Sequence, residues 1–222
     1  MRGVIFTGGK QPDMQLVLPW IHSATYIIAA DSGLLGVEAA GLVPDLLIGD
    51  MDSLPDLSIL DRYPPEKKRI WPTDKNFTDT ELAFSVMKEK GIDEIMLVGG
   101  SGGRMDHFFA LLSLYKQEIF PAIWIGEESV SITVGYGTFL WEACIAGLSS
   151  TDPVSIFPVG NESHSCISRG LHWPIADLDW DSGIFSLSNR SDSDSILLKA
   201  IRGRFLLVIP LRQGIRFERN SI

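Results

Sequence analysis

The stretch PDLLIGDMDS, residues 44–53, decides the reading of this chain. Leu46 to Ile48 is an apolar run following a proline, the pattern of a short buried strand. Gly49 lets the chain turn sharply as it leaves that strand. Asp50 and Asp52 then stand in a loop at the strand's carboxyl end, which in open α/β sheets is where ligands bind. Two carboxylates one residue apart repel each other unless a cation or a donor cluster lies between them. A hard cation such as Mg2+, which takes oxygen ligands and also holds substrate phosphates, suits that place. An Asp-rich surface turn accounts for the same residues without a ligand, since Asp and Gly are common turn formers.

The chain around this stretch has 222 residues, enough for one large domain or two small ones. With 45% hydrophobic and 21% charged residues, it has the composition of a globular protein with a full core. The formal net charge of −9 argues against non-specific binding to nucleic acid or to an anionic membrane. Handling an anionic substrate therefore requires metal ions or local basic groups. Cys144 and Cys166 lack metal-ligand spacing and read as free thiols, which fits a reducing, cytoplasmic setting. No apolar run approaches the length of a membrane-spanning helix. The opening MRGVIFTGG reads as a first strand rather than a secretory signal.

Apolar runs and turn residues predict an α/β order over the first half. Strands are expected at 3–6, 25–30, 46–48, 67–71 and 94–98, and helices at 14–22, 34–40, 80–90 and 105–116. Asp31 follows the second strand; it is either another acid at a strand's carboxyl end or the cap of the helix after it. Thr78 with Glu81 has the spacing of a capping box, which by itself explains Thr78, Asp79 and Glu81. Residues 99–106, GGSGGRMD, join a strand to a helix. That arrangement presents backbone N–H groups and a helix start to an anion, but no Lys-Ser/Thr pair makes it a Walker A loop. Arg104 adds a planar fork suited to phosphate, and Asp106 beside it is placed to hold Arg104, cap the helix or bind metal. From about residue 128 short runs rich in Val, Ile, Leu and Phe alternate with turns, at 130–134, 138–143, 154–159, 184–187, 195–199 and 205–209. This is the pattern of an all-β sandwich or barrel, with SDSDS at 191–195 as an exposed hairpin tip. The expected division is 1–127 and 128–222.

Three blocks in series, DSG (31–33) leading to PDLLIGDMDS, then DKNFTDTELA (74–83), then GGRMDH (102–107), resemble the signature of the thiamine pyrophosphokinase family. PVSIFPVG, GLHWPI and SLSN further on extend the resemblance over nearly the whole chain. The resemblance implies a Rossmann-like α/β domain with a mostly parallel sheet that binds ATP and Mg2+, followed by a β-sandwich that binds thiamine and forms a homodimer. It implies an active site shared between subunits and transfer of pyrophosphate from ATP to the hydroxyethyl oxygen of thiamine, giving thiamine diphosphate and AMP. It implies Asp50, Asp52 and Asp79 as metal ligands, with these, Arg104 and Asp106 as catalytic residues. Asp31, Ser53, Lys75, Thr78, Gly102, Gly103 and Arg104 are the expected nucleotide contacts, with the amides of residues 99–103 on the triphosphate. Trp173 is the expected stacking partner for the cationic rings of thiamine, with Ser188 and Asn189 hydrogen-bonding its aminopyrimidine. Read without the family, Trp173 is a core tryptophan and Ser188-Asn189 a turn.

The chain departs from the family pattern at Ser32, Leu35, Asn76 and Leu111. Those departures keep open a thiamine- or nucleotide-binding regulator without turnover. A diphosphokinase for another alcohol, such as a pterin, remains a second alternative. A phosphohydrolase with an Asp nucleophile is disfavoured, because no apolar strand runs directly into an Asp-x-Asp-x-Thr/Val loop.

Overall fold

The structure is a computed structural model that describes residues 1–72, 74, 76–117, 119–138 and 140–218. The chain divides into two compact units, Met1–Leu114 with Ile119–Glu127, and Tyr115–Glu118 with Glu128–Ile222.

The first unit is an α/β layer structure. Its strands are β1 (Arg2–Phe6), β2 (Tyr26–Ala30), β3 (Leu46–Gly49), β4 (Lys68–Ile70), β5 (Glu94–Val98) and β6 (Ile123–Ile125), arranged in the order β6-β5-β1-β2-β3-β4. Every pairing among them is parallel. Helices α1 (Met14–Ile21), α2 (Gly33–Ala39), α3 (Asp79–Glu89) and α4 (Met105–Ser113) lie in the connections. A sheet covered on both faces needs apolar residues on both faces of its strands; Val4, Ile5, Phe6, Ile28, Leu47, Ile48 and Leu97 are accordingly buried. β6 was not expected from the sequence: IWI is three residues long, too short to show a period. The helix expected over 105–116 stops at Ser113, and its last turn tightens to 3-10 geometry over Leu114–Lys116.

The second unit is a sandwich of two antiparallel sheets. One has the order β11 (Ser186–Asn189), β9 (Val154–Val159), β13 (Arg204–Pro210), β7 (Ser129–Gly135). The other has the order β10 (Ser165–Arg169), β12 (Ser195–Arg202), β8 (Glu142–Ala146), β14 (Arg216–Glu218). β12 packs against β7 and β13 to close the core. The strand expected at 138–143 begins only at Glu142, because Thr138 closes a turn: its Oγ1 donates to Gly135 O at 2.6 Å and accepts from Leu140 N at 3.0 Å. SDSDS is not a hairpin tip. The strands on either side of it lie in different sheets, and the segment pairs instead with residues 170–172, through Asp192 N to Gly170 O and His172 N to Arg190 O, both 2.9 Å. No helix among the described residues is long and apolar enough to cross a membrane.

One close approach sets the first unit's layer spacing. A Cβ on Gly33 would lie 2.1 Å from the Phe6 carbonyl oxygen, so the start of α2 sits directly on the end of β1. Gly33→Ala must push the helix off the sheet and is expected to cost about 1–3 kcal/mol, the usual range for overpacking. A lower urea midpoint with an unchanged slope is the expected reading.

Candidate active site

Strand order reverses beside β1: the chain moves outward through β2, β3 and β4 on one side, and through β5 and β6 on the other. The carboxyl edge at such a reversal is the ligand crevice of doubly wound sheets. Three acids meet at this edge. Asp31 follows β2, Asp50 follows β3, and Asp79 is the first residue of α3. One carboxylate oxygen from each lies within 4.8 Å of the others, and all three residues are half-buried. Asp31 is not a helix cap. Ser32 holds that position, and Asp31 adopts φ 52°, with its N–H donating to Ile48 O at 2.9 Å. A left-handed backbone at a residue other than glycine is strained and concentrates at functional sites.

Local chemistry builds the cluster. Ser53 Oγ donates to Asp31 Oδ2 and lies 3.2 Å from Ser32 Oγ. Asp31 Oδ1 is buried with no hydrogen-bond partner among the described residues. Gly49, at φ 136°, is bare where the Asp79 carboxylate rests: a Cβ there would lie 3.0 Å from Asp79 Cγ and Oδ1. Two unit charges at this spacing repel by roughly 3 kcal/mol at an effective dielectric of about 20. An all-oxygen donor set, one buried lone pair left open and mutual repulsion together fit a hard divalent cation.

The expected metal set was Asp50, Asp52 and Asp79; the residues brought together are Asp31, Asp50 and Asp79. Between Asp50 and Asp52 stands Met51, buried and at φ 62°. The chain folds inward at Met51, which leaves Asp52 exposed, with its N–H donating to Asp50 Oδ1 at 3.3 Å. Thr78, expected at the nucleotide, is the N-cap of α3 in a full capping box. Its N–H donates to Glu81 Oε2 at 2.8 Å, and its Oγ1 accepts from Glu81 N at 3.2 Å. Asn76 is exposed. Lys75 lies outside the described residues.

The glycine loop supplies fewer amides than the sequence suggests. Gly99 N donates to Ile125 O at 3.0 Å and Gly100 N to Gly8 O at 2.8 Å, so both are spent on the fold. Leu111 packs against Gly100, where a Cβ would meet its Cδ1 at 2.4 Å. Gly102, Gly103 and Arg104 form the exposed part of the loop before α4. Arg104 grips Asp106 with two hydrogen bonds, Nε to Oδ1 at 3.1 Å and Nη2 to Oδ2 at 2.5 Å. The Arg104 hydrogen bond holds the Asp106 carboxyl down at about 2. Because the pair is fully solvated, it adds little stability, and Arg104 can exchange Asp106 for another oxyanion at small cost. His107 is exposed and makes no part of the acid cluster.

In the sandwich, Trp173 is 51% exposed, so it is not a core residue. The His172 ring meets it edge-on at 4.6 Å, and the Arg190 guanidinium lies 5.3 Å from its centroid. Asn189, expected to hydrogen-bond an aminopyrimidine, is buried. Its Oδ1 accepts from Trp173 N at 3.1 Å and its Nδ2 donates to Trp173 O at 2.9 Å, so it clamps the tryptophan backbone. Ser188 is exposed at φ 54°, with its N–H donating to Ser155 Oγ at 3.0 Å. The sequence reading missed His172 and Arg190 beside Trp173, and it missed a buried hydroxyl pair, Thr7–Thr80, behind the acids. None of these carries a sequence signal beyond its neighbours.

Residues 18–125 match the family described as thiamin pyrophosphokinase, catalytic domain. The thiamine pyrophosphokinase of Bacillus subtilis is 31% identical over 117 residues, which cover 50% of this chain and 53% of that protein. The chain thus spans about half the length of this curated relative. Crystal structures of thiamin pyrophosphokinases share the fold. That from Bacillus subtilis has a TM-score of 0.72 at 22% identity, covering 95% of this chain and 99% of its own. That from Geobacillus thermodenitrificans has a TM-score of 0.68 at 22% identity, covering 96% and 99%. The yeast structure has a TM-score of 0.64 at 15% identity, covering 94% and 86%. With its acids gathered at the carboxyl edge of the sheet, the α/β region of this chain is similar to the thiamin pyrophosphokinase catalytic domain over residues 18–125.

Proposed function

We propose that this protein is an ATP:thiamine diphosphotransferase, and that Asp31, Asp50 and Asp79 hold Mg2+ for the reaction. The observation that carries this reading is the cluster of three half-buried carboxylates with a buried, open oxygen on Asp31. The family of residues 18–125 supplies the substrate class.

Held by Asp31, Asp50 and Asp79, a divalent cation would supply neutralisation of polyphosphate charge, which is most of what phosphoryl-type transfer requires. The chain's own groups do the rest. Arg104 leaves Asp106 and takes a phosphate oxygen pair with its planar fork. The first turn of α4 and the amides at Gly102 and Gly103 add positive potential beside it. The thiamine hydroxyl oxygen forms a bond to the β-phosphorus of ATP. The bond from that phosphorus to the α-bridging oxygen breaks, and AMP leaves with the electron pair. A carboxylate of the edge, from the cluster or from Asp52, accepts the hydroxyl proton late in the step. Trp173 offers thiamine an exposed aromatic face, fixed by the Asn189 clamp, and the exposed Ser188 offers a hydroxyl to the aminopyrimidine. The resemblance extends the proposal to a homodimer, and the two free thiols, Cys144 and Cys166, suit a cytoplasmic setting.

With thiamine, ATP and Mg2+, AMP should appear in step with thiamine diphosphate on chromatography. ADP with thiamine monophosphate would place the attack on the wrong phosphorus, and binding of thiamine without turnover would favour the regulator. Asp50→Asn is expected to lower kcat about 100-fold or more, because a first ligand is worth at least as much as the outer partners of a metal site. Asp106 titrates far below neutrality, so Asp106→Asn should leave the shape of the pH–rate profile between pH 5 and pH 9 unchanged. The same variant should raise the KM for ATP, since Arg104 then loses its guide. A shifted acidic limb would return a proton-transfer role to Asp106.

A further inference from the structure

Behind the acid cluster, two hydroxyls meet out of water. Thr7 Oγ1 and Thr80 Oγ1 lie 2.7 Å apart, and both residues are buried. Thr7 is the residue after β1 and is itself fixed on two sides: its N–H donates to Val98 O at 2.9 Å, and its carbonyl accepts from Gln11 Nε2 at 2.8 Å. Thr80 is the second residue of α3, directly after Asp79. The hydroxyl pair therefore ties the start of α3 to the end of the central strand. The capping box at Thr78 and Glu81 orders the helix end but reaches only its own helix. Gly49 leaves room for the Asp79 carboxylate but does not hold it in place.

We infer that Thr80, through Thr7, is a positioning residue that sets where the Asp79 carboxylate stands relative to Asp31 and Asp50. The inference rests on the proposed metal site. Three acids at this separation repel one another, and the hydroxyl pair ties the helix start that carries Asp79 to the end of β1 against that repulsion. A threonine is suited to this because its hydroxyl both donates and accepts across the buried contact. Replacing Thr80 by valine keeps the shape and deletes the bond, but leaves Thr7 with a buried hydroxyl unpaired. Replacing both threonines by valine removes the unpaired group as well, a change that can be nearly neutral for stability. The two variants therefore separate loss of stability from loss of position.

The test is Mn2+ binding to purified protein by paramagnetic resonance, with urea unfolding measured alongside, for the wild type, T80V, T80S, T7V/T80V and D79N. Wild type should bind Mn2+ and D79N should bind it far more weakly. T80V should lose about tenfold or more in affinity, as outer partners of a metal site do. T80S should stay near wild type. T7V/T80V should regain most of the stability that T80V loses, while its Mn2+ affinity stays low. Wild-type affinity in both T80V and T7V/T80V would overturn the inference and leave the metal site standing. Affinity that returns together with stability in the double variant would also overturn it, making the pair a packing contact only. Wild-type protein that binds no Mn2+, or binds it as well in D79N, would overturn the metal site and the inference with it.

Discussion

Mutual repulsion among Asp31, Asp50 and Asp79 is the constraint around which the first unit is arranged. Carboxylates within 4.8 Å of one another oppose folding unless something holds them. What holds them is ordinary backbone architecture. Parallel pairing of β1, β2 and β3 fixes the ends from which Asp31 and Asp50 project. The bare backbone of Gly49 lets Asp79 in, and Gly33 lets α2 sit on Phe6 so that the edge is compact there. The buried apolar strands beneath supply the stability that the edge consumes. Such a trade of local strain against core burial is the usual condition of a functional site.

The same logic separates the exposed groups from the fixed ones. Arg104 and Asp106 form a solvated pair that is ready to open, whereas the amides of Gly99 and Gly100 are locked into the fold. In the sandwich the order is reversed: Trp173 is exposed, but its backbone is clamped by a buried Asn189. A rigidly held aromatic face costs little entropy to use, which suits recognition of a flat cationic ring.

Much of this was legible in the sequence, because the signals are local. The strand before Asp50, the capping box at Thr78 and the glycine loop each announce themselves within a few residues. The switch from helical periods to short β runs near residue 128 was visible for the same reason. What escaped was set by tertiary geometry. Asp52 stands outside the acid cluster because Met51 turns inward. Thr7 and Thr80 are 73 positions apart and meet only in the folded chain. Strands as short as β6 and β14 exist because their neighbours offer unpaired edges, not because three residues favour a strand.

The central claim is that the acid cluster exists to hold a divalent cation, and thermal unfolding with and without Mg2+ tests it most directly. In EDTA, replacing Asp31 or Asp50 by Asn should raise the melting temperature, because it removes repulsion. In Mg2+ at about one hundred times the dissociation constant, wild type should gain about 2.7 kcal/mol and the variants should gain little, so that the order of stability reverses. Equal responses to Mg2+ in all three proteins would contradict the claim, and the cluster would then be an acidic edge without a metal.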